Sequence, residues 1–242
     1  MNVIYFLTAM NTPAEPTALP RERRRQKNLE RILEGAMDAI VTGGFDALSM
    51  NKLAATLDYT PGALYRYFPS KDALVTALVG EVVDEIGREL VAVSAARGAE
   101  PIARVVACAD VWRGFAVAAP NRFALVSMLL AAPGLIVTDE AHVGPAMAGL
   151  LAAVRPVAEA LEAAAASGAL HDGDAIERSF LLFSGATGVL LLRKQAPRAP
   201  GLLDLDRLFA AMLRALLTGW GAAPADLERA LTPAGKPPRS TP

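Results

Sequence analysis

The sequence predicts an all-α chain of two domains, and three observations predict it. Good helix formers fill nearly every long segment: 53% of the 242 residues are hydrophobic, with only 6% aromatic. Apolar residues recur at the three- and four-residue spacing of a helix face, and no segment alternates as a strand does. The length also suffices for a small domain and a medium one, each with its own core, which excludes disorder throughout.

Residues 1–20, with Pro13, Pro16 and Pro20, read as a disordered leader ending at a helix start. A first helix over 21–42 carries Leu29, Ile32, Leu33, Ala36, Met37, Ile40 and Val41 on one face, and Gly43-Gly44 stops it. Phe45 and Leu48 anchor the connection, and Ser49 caps a short helix over 50–57. Asp58-Tyr59-Thr60 forms a turn before a third short helix over 61–67, where Pro61 fits the first position because that N–H needs no partner. Ser70 caps a fourth helix reaching about Ala96, with Asp72 complementing its dipole.

Helices over 102–118 and 121–132 follow, then a loop to about Ala141 and a helix over 145–166 that Pro156 should kink. Two more span 175–194 and 204–219. The last bears a stripe of Leu205, Leu208, Phe209, Met212, Leu213, Leu216, Leu217 and Trp220. Residues 223–242 read as a flexible tail with room for a short helix at 225–231. The expected domains are 21–75 and 76–222.

Charge is uneven. Between Arg21 and Lys71 nine Lys/Arg face six Asp/Glu, a balance of +3 in a chain of net charge −1, which points that segment toward a polyanion. One cysteine, Cys108, forms no intramolecular disulfide, and with only His142 and His171 beside it no Cys/His metal set can be built. A reducing cytoplasm fits, and no cofactor is expected. The valines around Cys108 predict a buried, inert thiol; both histidines are expected in solvated loops. The apolar start Met1–Leu7 lacks the basic residue and length of a signal peptide. The longest apolar stretch, Phe180 to Leu192, falls short of a bilayer span, so no membrane partner is expected.

Two short helices joined by a tight turn, at once followed by a stop, form the pattern of a helix-turn-helix. The string Leu53-Ala54-Ala55-Thr56-Leu57-Asp58-Tyr59-Thr60-Pro61-Gly62-Ala63-Leu64-Tyr65-Arg66-Tyr67-Phe68-Pro69-Ser70-Lys71-Asp72-Ala73-Leu74 closely resembles the reader of the TetR family, with its Leu-Tyr-x-Tyr/His-Phe, short turn and Lys-Glu/Asp-x-Leu. The resemblance spans about Leu29 to Leu78. One departure is Asp58, which stands where the family has Gly; Asp tolerates left-handed backbone better than most residues.

A recognition helix presents its first turn to base edges, which places Thr60, Pro61, Gly62 and Ala63 there. Tyr65 and Tyr67 offer hydroxyls to phosphate, Arg66 a guanidinium to phosphate or guanine, and Lys71 a point charge to the backbone. Ser49, Asn51 and Lys52 would dock the second helix across a phosphate strand. Leu53, Leu57, Leu64, Phe68 and Leu74 are read as core. Arg21 to Lys27 form a basic arm that either lies along DNA or is merely solvated.

The resemblance implies an N-terminal three-helix helix-turn-helix DNA-binding domain plus a C-terminal helical ligand-sensing and dimerisation domain. It implies a cytoplasmic repressor, a homodimer on a palindromic operator in double-stranded DNA, released by an unknown small apolar ligand. Helices 175–194 and 204–219 would pair across a two-fold axis, with Ser184, Gly185 and Gly188 allowing close approach and the Leu205–Leu217 stripe supplying the apolar face. Trp112, Phe115, Phe123, Met128, Met147 and Phe183 are the candidate ligand lining, each also readable as ordinary core. Two rivals remain: a helical enzyme, for which no nucleophile–base pair, carboxylate pair or phosphate-cradling loop speaks, and a ligand-independent dimeric helical scaffold.

Overall fold

Proline and glycine positions punctuate the chain into ten α-helices among the residues described in the computed structural model, which are 20–94, 100–131, 140–199 and 201–232. They are α1 Pro20–Gly43, α2 Met50–Thr56, α3 Pro61–Tyr65, α4 Lys71–Ser94, α5 Pro101–Ala118, α6 Pro120–Ala131, α7 Glu140–Ala166, α8 Ala175–Leu191, α9 Leu205–Gly219 and α10 Pro224–Leu231. Short 3₁₀ turns lie at Phe45–Ala47, Leu192–Lys194 and Ala196–Arg198, and no strand occurs among the described residues. The expected all-α class therefore holds. Most of the expected leader, the end of the fourth helix beyond Ser94 and the end of the expected tail lie outside the described residues.

The chain falls into two units. The first holds the described residues up to Asp84 and those from Ala119 to Leu150; the second holds Glu85–Ala118 and the described residues from Leu151 onward. In the first, the predicted face of α1 is buried through Leu29, Ile32, Leu33, Ala36, Met37 and Ile40, and α2, α6 and the first 3₁₀ turn pack on this helix. Gly35 sets how closely α1 and α2 approach: a Cβ there would meet Leu57 Cδ2 at 3.1 Å and Leu53 Cδ1 at 3.2 Å. Leu64, Phe68, Leu74 and Leu78 complete the core, so each residue assigned to the reader's interior is buried.

In the second unit α8 lies against both α5 and α9, and α10 packs on α5. The buried Trp112 indole N–H donates to Thr187 Oγ1 at 3.0 Å, whose own hydroxyl donates to Phe183 O at 2.8 Å. Arg193 donates to the carbonyl of Ala116, satisfying one of the last turn of α5. Counted with its following turn, Ala175–Lys194 has twenty residues and mean hydropathy 1.4, enough by length and composition to cross a membrane, which revises the shorter estimate from its apolar run. Ser179 and Thr187 are buried within it and hydrogen-bonded, so here it serves as a packed helix.

Several expectations change. The helix expected over 145–166 begins early: α7 starts at Glu140, so His142 stands in helix rather than loop, whereas His171 is an exposed loop residue. α7 also passes through Pro145, the expected start, and continues as helix beyond Pro156. The short helix for which the sequence left room at 225–231 is present as Pro224–Leu231, and it buries Leu227. The α9 stripe is not a single outward face. Phe209, Leu213 and Leu217 are buried inside their own unit, leaving Leu208, Met212 and Leu216 half-buried, because α8 and α10 already cover one side. Cys108 is buried as expected, and burial pushes its thiol up to about 11 against the opposing charge of Arg104.

Candidate nucleic-acid interface

The turn between α2 and α3 rests on one unusual residue. Asp58 has φ 58°, the only positive φ outside glycine among the described residues. It follows the last turn of α2 as a left-handed helix stop: Tyr59 N–H donates to Ala54 O at 2.8 Å and Asp58 N–H to Ala55 O at 3.3 Å, the paired bonds of a Schellman motif. The left-handed backbone read from the substitution of Asp for Gly is thus present. Arg31 of α1 donates to Leu57 O at 2.9 Å and stands over the Tyr59 ring at 5.6 Å, closing the turn from outside.

α3 starts at Thr60, whose extended backbone (φ −72°, ψ 149°) and side chain make it the N-cap: its Oγ1 accepts from Ala63 N–H at 3.2 Å. The hydroxyl proton stays available to a base or phosphate acceptor. One side of this short helix is core, through Leu64 and then Phe68. The other presents Thr60, Pro61, Gly62, Tyr65 and Arg66, all exposed, with Tyr65 at 45%. A Cβ added at Gly62 would meet nothing within 4 Å, so no packing within the chain requires a glycine there. Asn51 and Lys52 on α2 are exposed as well; Ser49, Ala63, Tyr67 and Lys71 are half-buried.

Tyr67 and Lys71 have structural roles as well, whereas Ser49 lacks the one expected of it. Ser49 occupies the N-cap position of α2, but its side chain makes no capping bond, contrary to expectation. Tyr67 accepts a hydrogen bond from Asn28 Nδ2 at 2.9 Å and meets Tyr59 edge-on at 6.4 Å, which fixes its ring while leaving its hydroxyl proton. Lys71, expected to have no role in the fold, donates to Phe45 O at 2.6 Å, with two further N–H donors on the same ammonium. Asn28 and Arg31 are the residues that local sequence reading missed. Their partners lie 39 and 26 positions away, and no spacing within α1 signals them.

Of the candidate ligand lining, the structure brings three together in the second unit. The Trp112 ring lies 5.5 Å from Phe115 and 4.5 Å from Phe183, with both Trp112 and Phe115 buried. Phe123 is buried in the first unit and Met128 half-buried, whereas Met147 is 51% exposed.

A model of the N-terminal domain of bacterial regulatory proteins of the tetR family matches residues 32–78, and a tetracyclin repressor-like C-terminal domain model matches residues 105–216. Among curated proteins the chain is similar to the HTH-type transcriptional repressor KstR of Mycobacterium tuberculosis (strain ATCC 25618 / H37Rv), 38% identical over 85 residues, which are 35% of this chain and 36% of the relative. The match therefore spans only about a third of that protein's length. Among solved structures it resembles a SmeT–triclosan complex, with TM-score 0.63 and 22% identity over 90% of this chain and 100% of that one. It also resembles AibR in complex with isovaleryl coenzyme A and operator DNA, with TM-score 0.59 and 22% identity over 78% of this chain and 97% of that one. These likenesses carry the fold. The two family models describe one family and together match well over half of the sequence, so the chain belongs to the TetR family of bacterial regulatory proteins and is a DNA-binding regulator of transcription.

Proposed function

We propose that the chain acts in the cytoplasm as a homodimeric repressor, that two copies of α3 read a palindromic operator, and that a small apolar ligand in the C-terminal domain releases it. The observation that carries the reading is the two-sided character of α3: Leu64, and Phe68 just beyond it, are buried in the core while Thr60, Pro61, Gly62, Tyr65 and Arg66 are exposed on a capped turn. In this assignment Thr60, Pro61, Gly62 and Ala63 lie against base edges. Ser49, Asn51, Lys52, Tyr65, Arg66, Tyr67 and Lys71 hold the phosphate strands.

Support for the dimer comes from α8, where Leu181, Ser184, Gly188 and Leu191 recur along one side and are all exposed, the two leucines at 46% and 48%. A Cβ at Gly188 would meet nothing within 4 Å, which suits a second helix at close range. Support for an apolar ligand comes from the Trp112, Phe115 and Phe183 cluster, and from neighbours solved with triclosan and with an acyl coenzyme A. The curated KstR relatives are named repressors. On this reading the protein binds rather than catalyses.

The test is selection of bound sequences from random duplex DNA by the purified protein. A palindromic consensus is expected. Recovered sites without dyad symmetry, or tight binding by a monomer, would overturn the reading.

A further inference from the structure

A second basic feature adjoins the reader and is not part of its base-reading turn. A cleft of about 360 Å³ in the first unit is lined by Arg21, Arg24, Arg25, Asn28, Arg66 and Tyr67, four guanidiniums with no carboxylate among them. It is made by the first two turns of α1 on one side and the end of α3 on the other. Arg24 and Arg25 lie three and four residues after Arg21, so both neighbour it on one side of the helix, and like charges at that spacing repel. They also crowd the positive end of the α1 dipole, where cations are disfavoured. The Asn28–Tyr67 hydrogen bond of 2.9 Å fixes the floor, leaving the Asn28 carbonyl oxygen and the Tyr67 hydroxyl proton for a further partner.

We infer that this cleft is a phosphate clamp for the DNA backbone outside the bases read by α3. The inference rests on the operator-binding reading. Arg66 ends α3, whereas Thr60 begins it; a helix of this length spans roughly 7.5 Å. A phosphate seated beside Arg66 therefore belongs to backbone flanking the bases at Thr60. The α1 arginines extend the footprint outward as the wall of a helix. Guanidinium forks suit phosphodiester oxygens, and the tyrosine hydroxyl adds a neutral donor. The clamp contributes affinity and register and is indifferent to sequence.

The experiment compares the full-length protein with Arg21→Ala/Arg24→Ala on the selected operator, in one duplex that stops at the palindrome's edge and one extended by a helical turn on each side. Salt titrations are run on both. The wild type is expected to bind the extended duplex several-fold more tightly. The variant should lose most of that gain, and its log–log salt slope should fall by about one unit per phosphate contact removed in each protomer. Preference between operator and scrambled DNA should persist. Arg21→Lys/Arg24→Lys, which keeps the charge, should retain the slope, and unchanged melting temperatures would exclude unfolding. Equal gain from the flanks and an unchanged slope in the alanine variant would overturn the clamp while leaving the reader intact. Wild-type protein that prefers no DNA sequence would overturn the operator reading itself.

Discussion

The ammonium of Lys71 and the main-chain oxygen of Phe45, 26 positions apart, are joined by a 2.6 Å hydrogen bond. It ties the first residue of α4 to the 3₁₀ turn between α1 and α2, so one side chain both closes the domain and stands beside the reader. The sequence reading assigned Lys71 to phosphate alone.

Lys71→Ala should therefore show two losses. A partly exposed charged hydrogen bond contributes about 1 kcal/mol, and its removal should lower Tm by roughly 2–4 °C. The salt slope should fall by about one unit per protomer, with operator preference unchanged. Thermal melts and salt titrations check each arm separately; a lower Tm with an unaltered slope would leave Lys71 a purely structural tie.

Asp58 and Gly62 predict opposite behaviour. Asp58→Gly removes the penalty of left-handed backbone and should stabilise by up to about 1 kcal/mol with operator binding retained. Gly62→Ala meets no steric obstacle in the protein and should stabilise α3 by roughly 0.5–1 kcal/mol. It should nevertheless weaken operator binding if, as proposed, this turn of α3 lies against the bases, because the added methyl would stand between them. Unimpaired binding by Gly62→Ala would remove this glycine from the contact surface.

Burial divides the leucines of the proposed dimer. Leu213 is 1% exposed within its own protomer, so Leu213→Glu should unfold the domain. Leu181→Glu, on an open face, should leave the melting temperature of the fold nearly intact while giving a monomer in sedimentation and weakening operator binding. A dimer persisting with Glu at 181 would move the interface off this side of α8.

Arg113 links Asp110 and Asp206, each at 2.9 Å, yet burial raises the Asp110 carboxyl above its ordinary value by more than Arg113 lowers it. A carboxyl raised in the folded state stabilises it while protonated, below the unfolded value of about 3.8, and that contribution is lost as pH rises through the folded value. At neutral pH the ionised group opposes folding. Asp110→Asn should consequently raise Tm at pH 7, with the gain shrinking as the solution is acidified through the carboxylate range. A less stable variant at pH 7 would mean that pairing with Arg113 outweighs burial.

Local rules gave much of this molecule. The buried face of α1, the Pro61 start, the Ser70 cap, whose Oγ accepts from Ala73 N–H at 3.0 Å, and the left-handed Asp58 all depend on neighbours within four residues. What the sequence concealed depends on distant partners. Nothing near Leu213 reveals that α8 and α10 cover it, nothing near Lys71 points to Phe45, and nothing near Tyr67 points to Asn28. The opposite failure occurred at Pro145, where a proline taken as a boundary lies inside a helix that begins at Glu140.

Gly35 gives the contact between α1 and α2 a consequence for engineering. With Leu57 Cδ2 only 3.1 Å from where its Cβ would be, with Arg31 holding Leu57 O and Asn28 holding Tyr67, α2 and α3 are fitted to this particular α1. A chimera that grafts only residues 50–65 from another regulator would bring leucines and a turn shaped for a different support helix. A specificity graft should therefore carry at least the stretch from Pro20 to Leu78, with the α6 surface that α1 meets, and exchanges cut inside it should yield proteins that fold poorly before they ever meet DNA.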